Sequence, residues 1–357
     1  MKKHLVFCLF MMIFVTSSHA QQFKEVDAIL EAYTGDNTPG ASLAIIKKGK
    51  VIYQKTYGMA DLEKQVKVRP EHNFRLASVT KQFTATAVLL LIQRGKFTLD
   101  HTLTDIFEGF PVYGKNITVK HLLNHTSGIE DYEDYVPDSA MVNQIKDQGV
   151  LGIVRKLDKG YFAPGEQYRY SNTAYALLAL IIEKYSGQTY AGFLKANIFK
   201  PLGMKNTIAY EKGISEVKHR AFGYSKNKEE QWVRRDQSST SAVLGDGGIY
   251  SSTNDLYLWD QSLYTDKILP NGVIQLAFSP NKTNEGKAVD YGFGWHLTTT
   301  KKGEKVVYHT GSTTSFRNVF YRIPTSEFSI ILLTNRNKPD ENNMLGLAEK
   351  IAEACGH

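Results

Sequence analysis

The sequence predicts an α+β fold: an antiparallel sheet flanked by terminal helices, plus a mainly helical lobe. Three observations lead there. Two β-prone runs, Ala41 to Lys47 and Val51 to Tyr57, stand near the start, joined by Lys48-Gly49-Lys50 as a hairpin signal. Four more runs stand near the end, separated by short turns that favour antiparallel pairing: Tyr291 to Thr298, Lys305 to His309, Phe316 to Ile323 and Phe328 to Thr334. The section between them is dominated by apolar residues at helical spacing. Pairing the early hairpin with the late strands in one sheet is the simplest folded form, with the helical middle as a second lobe.

Taken in order, Phe23, Val26, Ile29, Leu30 and Tyr33 keep a helical period and predict a first helix. The hairpin follows, then a loop with Pro70 and the short run Asn73 to Ala77. Ser78 leads into a strong helix, with Phe83, Ala87, Leu90 and Leu91 on one face and Gly95 as its stop. Thr118 is placed to cap a short helix. A helical pattern covers about residues 140–157, and Pro164-Gly165 marks a turn. Ala174 to Tyr185 is helical and stopped by Gly187; Tyr190 to Ile198 is helical and ended by Pro201 and Gly203. Gly245-Asp246-Gly247-Gly248 is a tight turn, Ser252 or Thr253 caps a helix through Leu263, and a last helix runs from about Asn342 to Ala354.

The first twenty residues stand apart. Lys2, Lys3 and His4 precede an apolar run from Leu5 to Val15, and Ser18-His19-Ala20 offers small residues for cleavage after Ala20. Residues 1–20 therefore read as a secretory signal peptide, with a periplasmic or secreted product. The run is too short for a bilayer, which needs about 20 residues, so no stable membrane anchor is expected after cleavage. Cys8 sits within the run rather than after it, which argues against a lipid anchor there. Residues 21–357 form the folded part, with the α/β lobe at about 21–77 and 243–357 and the helical lobe at about 78–242. Only Cys355 remains after cleavage, so the fold rests on its core rather than on a disulfide. The net charge is +7, two units of it in the leader, and the remaining basic residues are scattered. Without an aromatic-interleaved basic patch, nucleic acid is not expected as a partner.

The chemistry centres on Ser78-Val79-Thr80-Lys81. On a helix, positions i and i+3 share a face, so the serine would have the lysine one turn along, and its own N–H would lie among the unpaired donors of the helix start. A nucleophile, a proton acceptor and an oxyanion donor would then meet. Ser-x-x-Lys occurs four times, and context separates the copies. Ser215 with Lys218 and Ser225 with Lys228 lie in charged stretches without apolar period. Ser279 with Lys282 encloses Pro280 and reads as a turn. There is no Gly-x-Ser-x-Gly elbow, no Gly-x-Gly-x-x-Gly, no P-loop, no His-Glu-x-x-His and no EF-hand pattern. No cofactor and no metal are expected.

Phe74-Arg75-Leu76-Ala77-Ser78-Val79-Thr80-Lys81, Tyr170-Ser171-Asn172 and His309-Thr310-Gly311 together resemble the three motifs of class C-type β-lactamases and related serine DD-peptidases, D-aminopeptidases and esterases. The block His125-Thr126-Ser127-Gly128 and the turn at 245–248 also match. The resemblance spans about Gly40 to Asn335. It implies that Ser78 forms an acyl-enzyme, that Lys81 relays protons, and that Tyr170 is the general base. It implies that Asn172 holds Lys81 and a substrate amide, that His309 and Thr310 sit on the sheet edge strand facing Ser78, and that Gly311 and Ser312 join them in binding substrate. The backbone N–H groups of Ser78 and Ser312 would bind the oxyanion. Whether Lys81 or Tyr170 takes the serine's proton is a coupled titration that the sequence leaves open.

The activity expected is acyl transfer to water at peptide-amide or ester bonds, DD-peptidase- or β-lactamase-like, on a small molecule or peptide such as a β-lactam or a cell-wall peptide, by a monomer. A carboxylesterase and a penicillin-binding sensor that does not turn over are the alternatives. Many β-lactamases of the family carry lysine where this chain has His309. A histidine there is expected to make activity depend on pH near neutrality, since free imidazole titrates at about 6.5. His125 is expected to fix its loop, Glu130-Asp131-Tyr132 to rim the cleft, and Arg317 to be a surface residue.

Overall fold

The computed structural model describes residues 23–137, 143–338 and 341–357. The expected leader and the start of the helix expected at about residue 140 lie outside these. Six antiparallel strands form the main sheet: β1 (Ala41–Lys47), β2 (Lys50–Tyr57), β5 (His296–Thr299), β6 (Lys305–Thr313), β7 (Phe316–Ile323) and β8 (Phe328–Thr334). Their order is β5-β6-β7-β8-β1-β2, so the last strand lies between the hairpin and the other late strands. A smaller sheet pairs β3 (Phe74–Arg75) with β4 (Ile249–Ser251), and β4 in turn pairs with Ile208–Ala209. The class is α+β, as the sequence predicts.

Side chains alternate across a strand, so a sheet covered on both faces reads as a continuous apolar run. In β8 all seven residues are buried. Ile330 and Leu332 pack with Leu43 and Ile45 beneath the terminal helices, through Val26 and Leu30 at one end of the chain and Met344, Ala348 and Ile351 at the other. Ile331 and Leu333 join Ala44 and Ile46 in the larger core under the helical side. Cys355, buried and reduced, closes the outer layer.

Helix α1 (Lys81–Gln93) and α4 (Asn172–Ser186) run through that larger core. Helix α2 (Val119–Leu123) begins at Thr118, whose hydroxyl accepts from His121 N while the His121 ring accepts from Thr118 N. Helix α3 (Asp147–Val154) is shorter than the period suggests. Helix α5 (Thr253–Ser262) is capped by Ser252, and α6 (Glu341–Ala354) closes the chain.

Three expectations are corrected. The strand expected over Tyr291 to Thr298 is confined to His296–Thr299, because Gly294 takes φ +81° against the Lys81 backbone and turns the chain. The strand expected to stop at His309 runs to Thr313, since Thr310-Gly311-Ser312 pair with Val319, Asn318 and Arg317. The helix expected to end before Pro201 continues to Leu202 by way of a wider turn at Lys195–Phe199, with the proline near the start of the final turn, where its missing N–H costs little.

Candidate active site

Ser78 sits on a tight 3₁₀ turn, Ala77–Thr80, that leads directly into α1. Ala77 before it takes φ +50°, an unusual conformation for a residue with a Cβ and typical of strained functional turns. The turn is clamped from the sheet. Asn318 of β7 donates to the carbonyls of Arg75 at 2.9 Å and Leu76 at 3.2 Å. Gly311 of β6 passes so close that a Cβ there would lie 2.1 Å from Leu76 O. β5 pairs with β6 only as far as Tyr308, so the outer edge of residues 309–313 is left for the serine turn.

Lys81 is fully buried. Its Nζ donates to Ser78 Oγ at 3.0 Å, to Asn172 Oδ1 at 2.8 Å and to the Asp246 carbonyl at 3.0 Å. A buried ammonium needs such acceptors to offset its lost hydration. Asn172 is the first residue of α4, and Ser171 caps that helix by accepting from Ala174 N. Asp131 Oδ2 accepts from Asn172 N at 2.9 Å, and Thr173 Oγ1 donates to Glu130 O. The 130–132 segment therefore braces the Tyr-x-Asn turn, and of its residues Tyr132 lines the hollow that holds Ser78, with Glu133 beside it.

Tyr170 lies with its ring 4.8 Å below Lys81 Nζ and 4.4 Å from the ring of His125. Its hydroxyl is buried and makes no hydrogen bond of normal geometry. Burial holds the phenol pKa well above 10; nearby Ser78 pulls it down, while Tyr168, Tyr175 and Asp246 push it up. Two cations beside a phenol would stabilise its phenolate, and burial overturns that expectation here. Lys81 Nζ stands over the face of the ring, and His309 is not a cation. His125 does fix its loop: its Nδ1 accepts from Ser171 N at 3.1 Å.

His309 is buried with Nδ1 2.6 Å from Thr310 O and Nε2 3.0 Å from Tyr291 Oη. The first contact places the ring proton on Nδ1 and leaves Nε2 to accept from the phenol. Burial, then the His296 and Lys81 charges, push its pKa well below 6.5. The expected neutral-pH titration of His309 is therefore corrected: the imidazole is uncharged through that range. Thr310 lines a hollow with the rings of Tyr168, Tyr170, His296 and Tyr308 and with Leu345, whereas Ser312 and Thr313 line the hollow that holds Ser78, Asn172 and Glu133. Arg317 is half-buried, and its guanidinium donates to the carbonyls of Thr313 and Phe316.

The structure adds residues that the motifs leave out. Asp246, inside the glycine-rich turn, presents its carbonyl to Lys81, and its carboxyl accepts from Tyr132 Oη at 2.8 Å. Burial raises its pKa to about 7 against the opposing pull of Lys81. Asp147 at the start of α3 holds the same turn, accepting from Leu244 N at 2.9 Å and Gly245 N at 3.0 Å, and burial raises it to about 7 as well. An acid inside a glycine-rich turn was the available signal for Asp246. Nothing in the sequence marks Asp147, whose partners lie almost a hundred positions away.

Fold and site define a serine hydrolase of the β-lactamase/transpeptidase type, with Ser78, Lys81, Tyr170 and Asn172 gathered at the junction of sheet and helices. The family model described as Beta-lactamase matches residues 26–353, and the chain belongs to that family. It is 31% identical to penicillin-binding protein 4* of Bacillus subtilis, over 89% of this chain and 73% of that one. It is also 31% identical to protein flp of Staphylococcus aureus, over 88% of this chain and 63% of flp, so it spans less than two thirds of that relative. Among solved structures, an octameric penicillin-binding protein homologue from Pyrococcus abyssi superposes with TM-score 0.77 at 27% identity, covering 96% of this chain and 75% of that one. D-amino acid amidase from Ochrobactrum anthropi superposes with TM-score 0.76 at 25% identity, covering 94% and 99%.

Proposed function

We propose that this protein is an exported, monomeric serine acyl-hydrolase, periplasmic or secreted, that cleaves peptide-amide or ester bonds through an acyl-enzyme. The observation that carries the reading is the Lys81 ammonium, bonded at once to Ser78 Oγ, Asn172 Oδ1 and the Asp246 carbonyl. That arrangement puts a serine hydroxyl beside a proton relay.

Ser78 Oγ attacks the scissile carbonyl, and the new C–O bond turns the carbonyl oxygen into an oxyanion. The N–H groups of Ser78 and Ser312 receive that charge, the first from the tight turn and the second from the strand edge held against it. Lys81 and Tyr170 act as one titrating unit; in its form with one proton fewer, it takes the serine's proton and passes it to the departing nitrogen or oxygen as its bond to carbon breaks. The neutral, buried phenol of Tyr170 is suited to the donating step. Water then attacks the acyl carbon, gives its proton to the same unit and releases Ser78. Asn172 keeps Lys81 aligned and offers its amide to the substrate backbone. Ester cleavage uses the same atoms, so a carboxylesterase activity is part of the proposal.

The test is intact-protein mass after incubation with a fluorescent penicillin, run beside hydrolysis of a chromogenic cephalosporin and p-nitrophenyl butyrate, for wild type and Ser78→Ala. Ser78-dependent turnover of any of these is expected. A stable stoichiometric adduct without turnover would make the protein a penicillin-binding sensor instead. Activity that survives Ser78→Ala would remove the nucleophile. The oligomeric state is read by light scattering, and a single-chain mass is expected.

A further inference from the structure

The Lys81 ammonium bonds to Ser78 Oγ on the serine turn, to Asn172 Oδ1 at the start of α4, and to the Asp246 carbonyl. A main-chain carbonyl is aimed by the peptides around it, so whatever holds residues 244–246 helps decide whether that ammonium stays beside Ser78. Asp147, the first residue of α3, holds them. Its Oδ2 accepts from Leu244 N at 2.9 Å and its Oδ1 from Gly245 N at 3.0 Å. Two consecutive amides drawn into one carboxyl set the orientation of the turn as well as its position, as a bidentate pair does.

The other ties on this stretch grip it from the opposite side. Thr84 of α1 donates to Gly245 O at 2.7 Å, and Gly248 N closes the turn onto Leu244 O at 3.1 Å. Just past the turn, Ile249 N donates to Thr80 Oγ1 at 3.2 Å, and Ile249 O accepts from Leu76 N at 2.8 Å. The stretch is thus fastened to the serine turn and α1 on one side and to α3 on the other, with the Asp246 carbonyl between them. Asp147 is buried and does not line the hollow that holds Ser78. It lines a separate hollow of about 400 Å³, with Lys146, Glu183 and Lys212. Its route to the reacting atoms therefore runs through the Asp246 carbonyl and Lys81. In a buried polar network the loss of one acceptor is felt along the chain of bonds.

We propose that Asp147 is a positioning residue of the hydrolytic site: through Leu244 and Gly245 it aims the Asp246 carbonyl at Lys81 Nζ, and so keeps Lys81 aligned on Ser78. This rests on the hydrolase reading above and extends its machinery to a residue outside every motif. Because the Lys81–Tyr170 unit serves acylation and deacylation alike, a displaced turn slows both steps, so kcat falls while KM holds.

The test measures kcat and KM for p-nitrophenyl butyrate in wild type, Asp147→Asn and Asp147→Ala, at about pH 8, above the value of about 7 at which Asp147 ionises. Asparagine keeps the volume and one acceptor but turns an NH₂ group toward the second amide; alanine removes both acceptors. Sites are counted by exhaustive labelling with a fluorophosphonate, so a misfolded fraction does not enter kcat. Both variants are expected to lose at least about tenfold in kcat, toward the hundredfold of a misplacement near 1 Å, with KM within about twofold. Val154→Ala trims buried packing at the other end of α3 and is expected to lower the melting temperature while leaving kcat in place. In a Lys81→Met background, with the Ser78→Ala rate subtracted, Asp147→Asn is expected to cost no more than about twofold further, because the group it acts through is already gone. A kcat within about threefold of wild type in both variants would overturn the proposal. So would a loss that multiplies in full with Lys81→Met, or one that Val154→Ala reproduces at an equal fall in melting temperature. Each of these results leaves Ser78-dependent hydrolysis, and with it the hydrolase reading, standing; hydrolysis that survives Ser78→Ala would remove both.

Discussion

Replacing Lys81 by methionine tests the centre of the site. Methionine fills much of the same volume but carries no charge and no donor. The ammonium makes hydrogen bonds to Ser78 Oγ, Asn172 Oδ1 and Asp246 O at 3.0, 2.8 and 3.0 Å. For catalysis, the variant loses a positioned proton relay, an effect of about 10²- to 10⁴-fold. At 1.36 kcal/mol per decade, the middle of that range is about 4 kcal/mol of transition-state stabilisation. For stability, two terms oppose each other. The buried charge and its desolvation cost disappear. Asn172 Oδ1 and Asp246 O lose their donor, at about 1–3 kcal/mol each. The net change in folding stability is therefore expected to be small beside the loss of activity. The assay is kcat and KM for p-nitrophenyl butyrate beside a thermal melt. Lys81→Arg is not expected to restore activity, because a planar guanidinium cannot take the place of a compact ammonium among three converging acceptors. A Lys81→Met protein that melts like wild type and keeps more than about a tenth of its kcat would refute the relay, since that loss is below the range for general acid–base catalysis.

Three further outcomes follow from the geometry. Gly311→Ala puts a Cβ 2.1 Å from Leu76 O, so β6 must move off the serine turn; kcat/KM is expected to fall about a hundredfold, the usual result of a misplacement near 1 Å, with circular dichroism unchanged. Asp147 keeps its proton in the folded state up to about pH 7, against 3.8 for the free side chain, so folding takes up a proton within that window. Stability is expected to fall as pH rises through it, and denaturant melts of Asp147→Asn should lose part of that slope. For His309, whose folded pKa is held well below 6.5, exchange for Gln is expected to leave both limbs of the pH–rate profile where they are, and a limb near pH 6.5 that vanishes in the variant would contradict the neutral assignment.

The fold was legible where side-chain period and turn chemistry agree. The early hairpin, the paired runs 316–323 and 328–334, and the Thr118 and Ser252 caps are local signals, and all of them appear. The β-prone run at 305–309 carries no local signal that extends it through Thr310-Gly311-Ser312. Their extended conformation is imposed by β7 and by the serine turn they press against. At the site, Ser78, Lys81, Tyr170 and Asn172 were legible as motifs. The charge states were not. The free pKa of histidine suggests a titrating imidazole, and cations beside Tyr170 suggest a depressed phenol, whereas burial dominates both, and burial is a property of packing that no motif records. Asp147 and the ring-lined hollow stayed hidden because their parts come from distant stretches of chain.

The pairing of β1 with β8 has a consequence for the chain as it is made. Gly40 N donates to Asn335 Oδ1, a contact across 295 positions, and the serine turn is held by Asn318. Ser78 and Lys81 are synthesised early, yet the strand that presses the serine turn into shape arrives only near the end. Contacts of such long sequence separation form slowly, because loop closure must precede any gain. A nascent or prematurely terminated chain ending before residue 309 therefore contains the nucleophile and its relay without the edge that completes them. Such a fragment is expected to be silent, and hydrolysis to begin only once the last strands are in place.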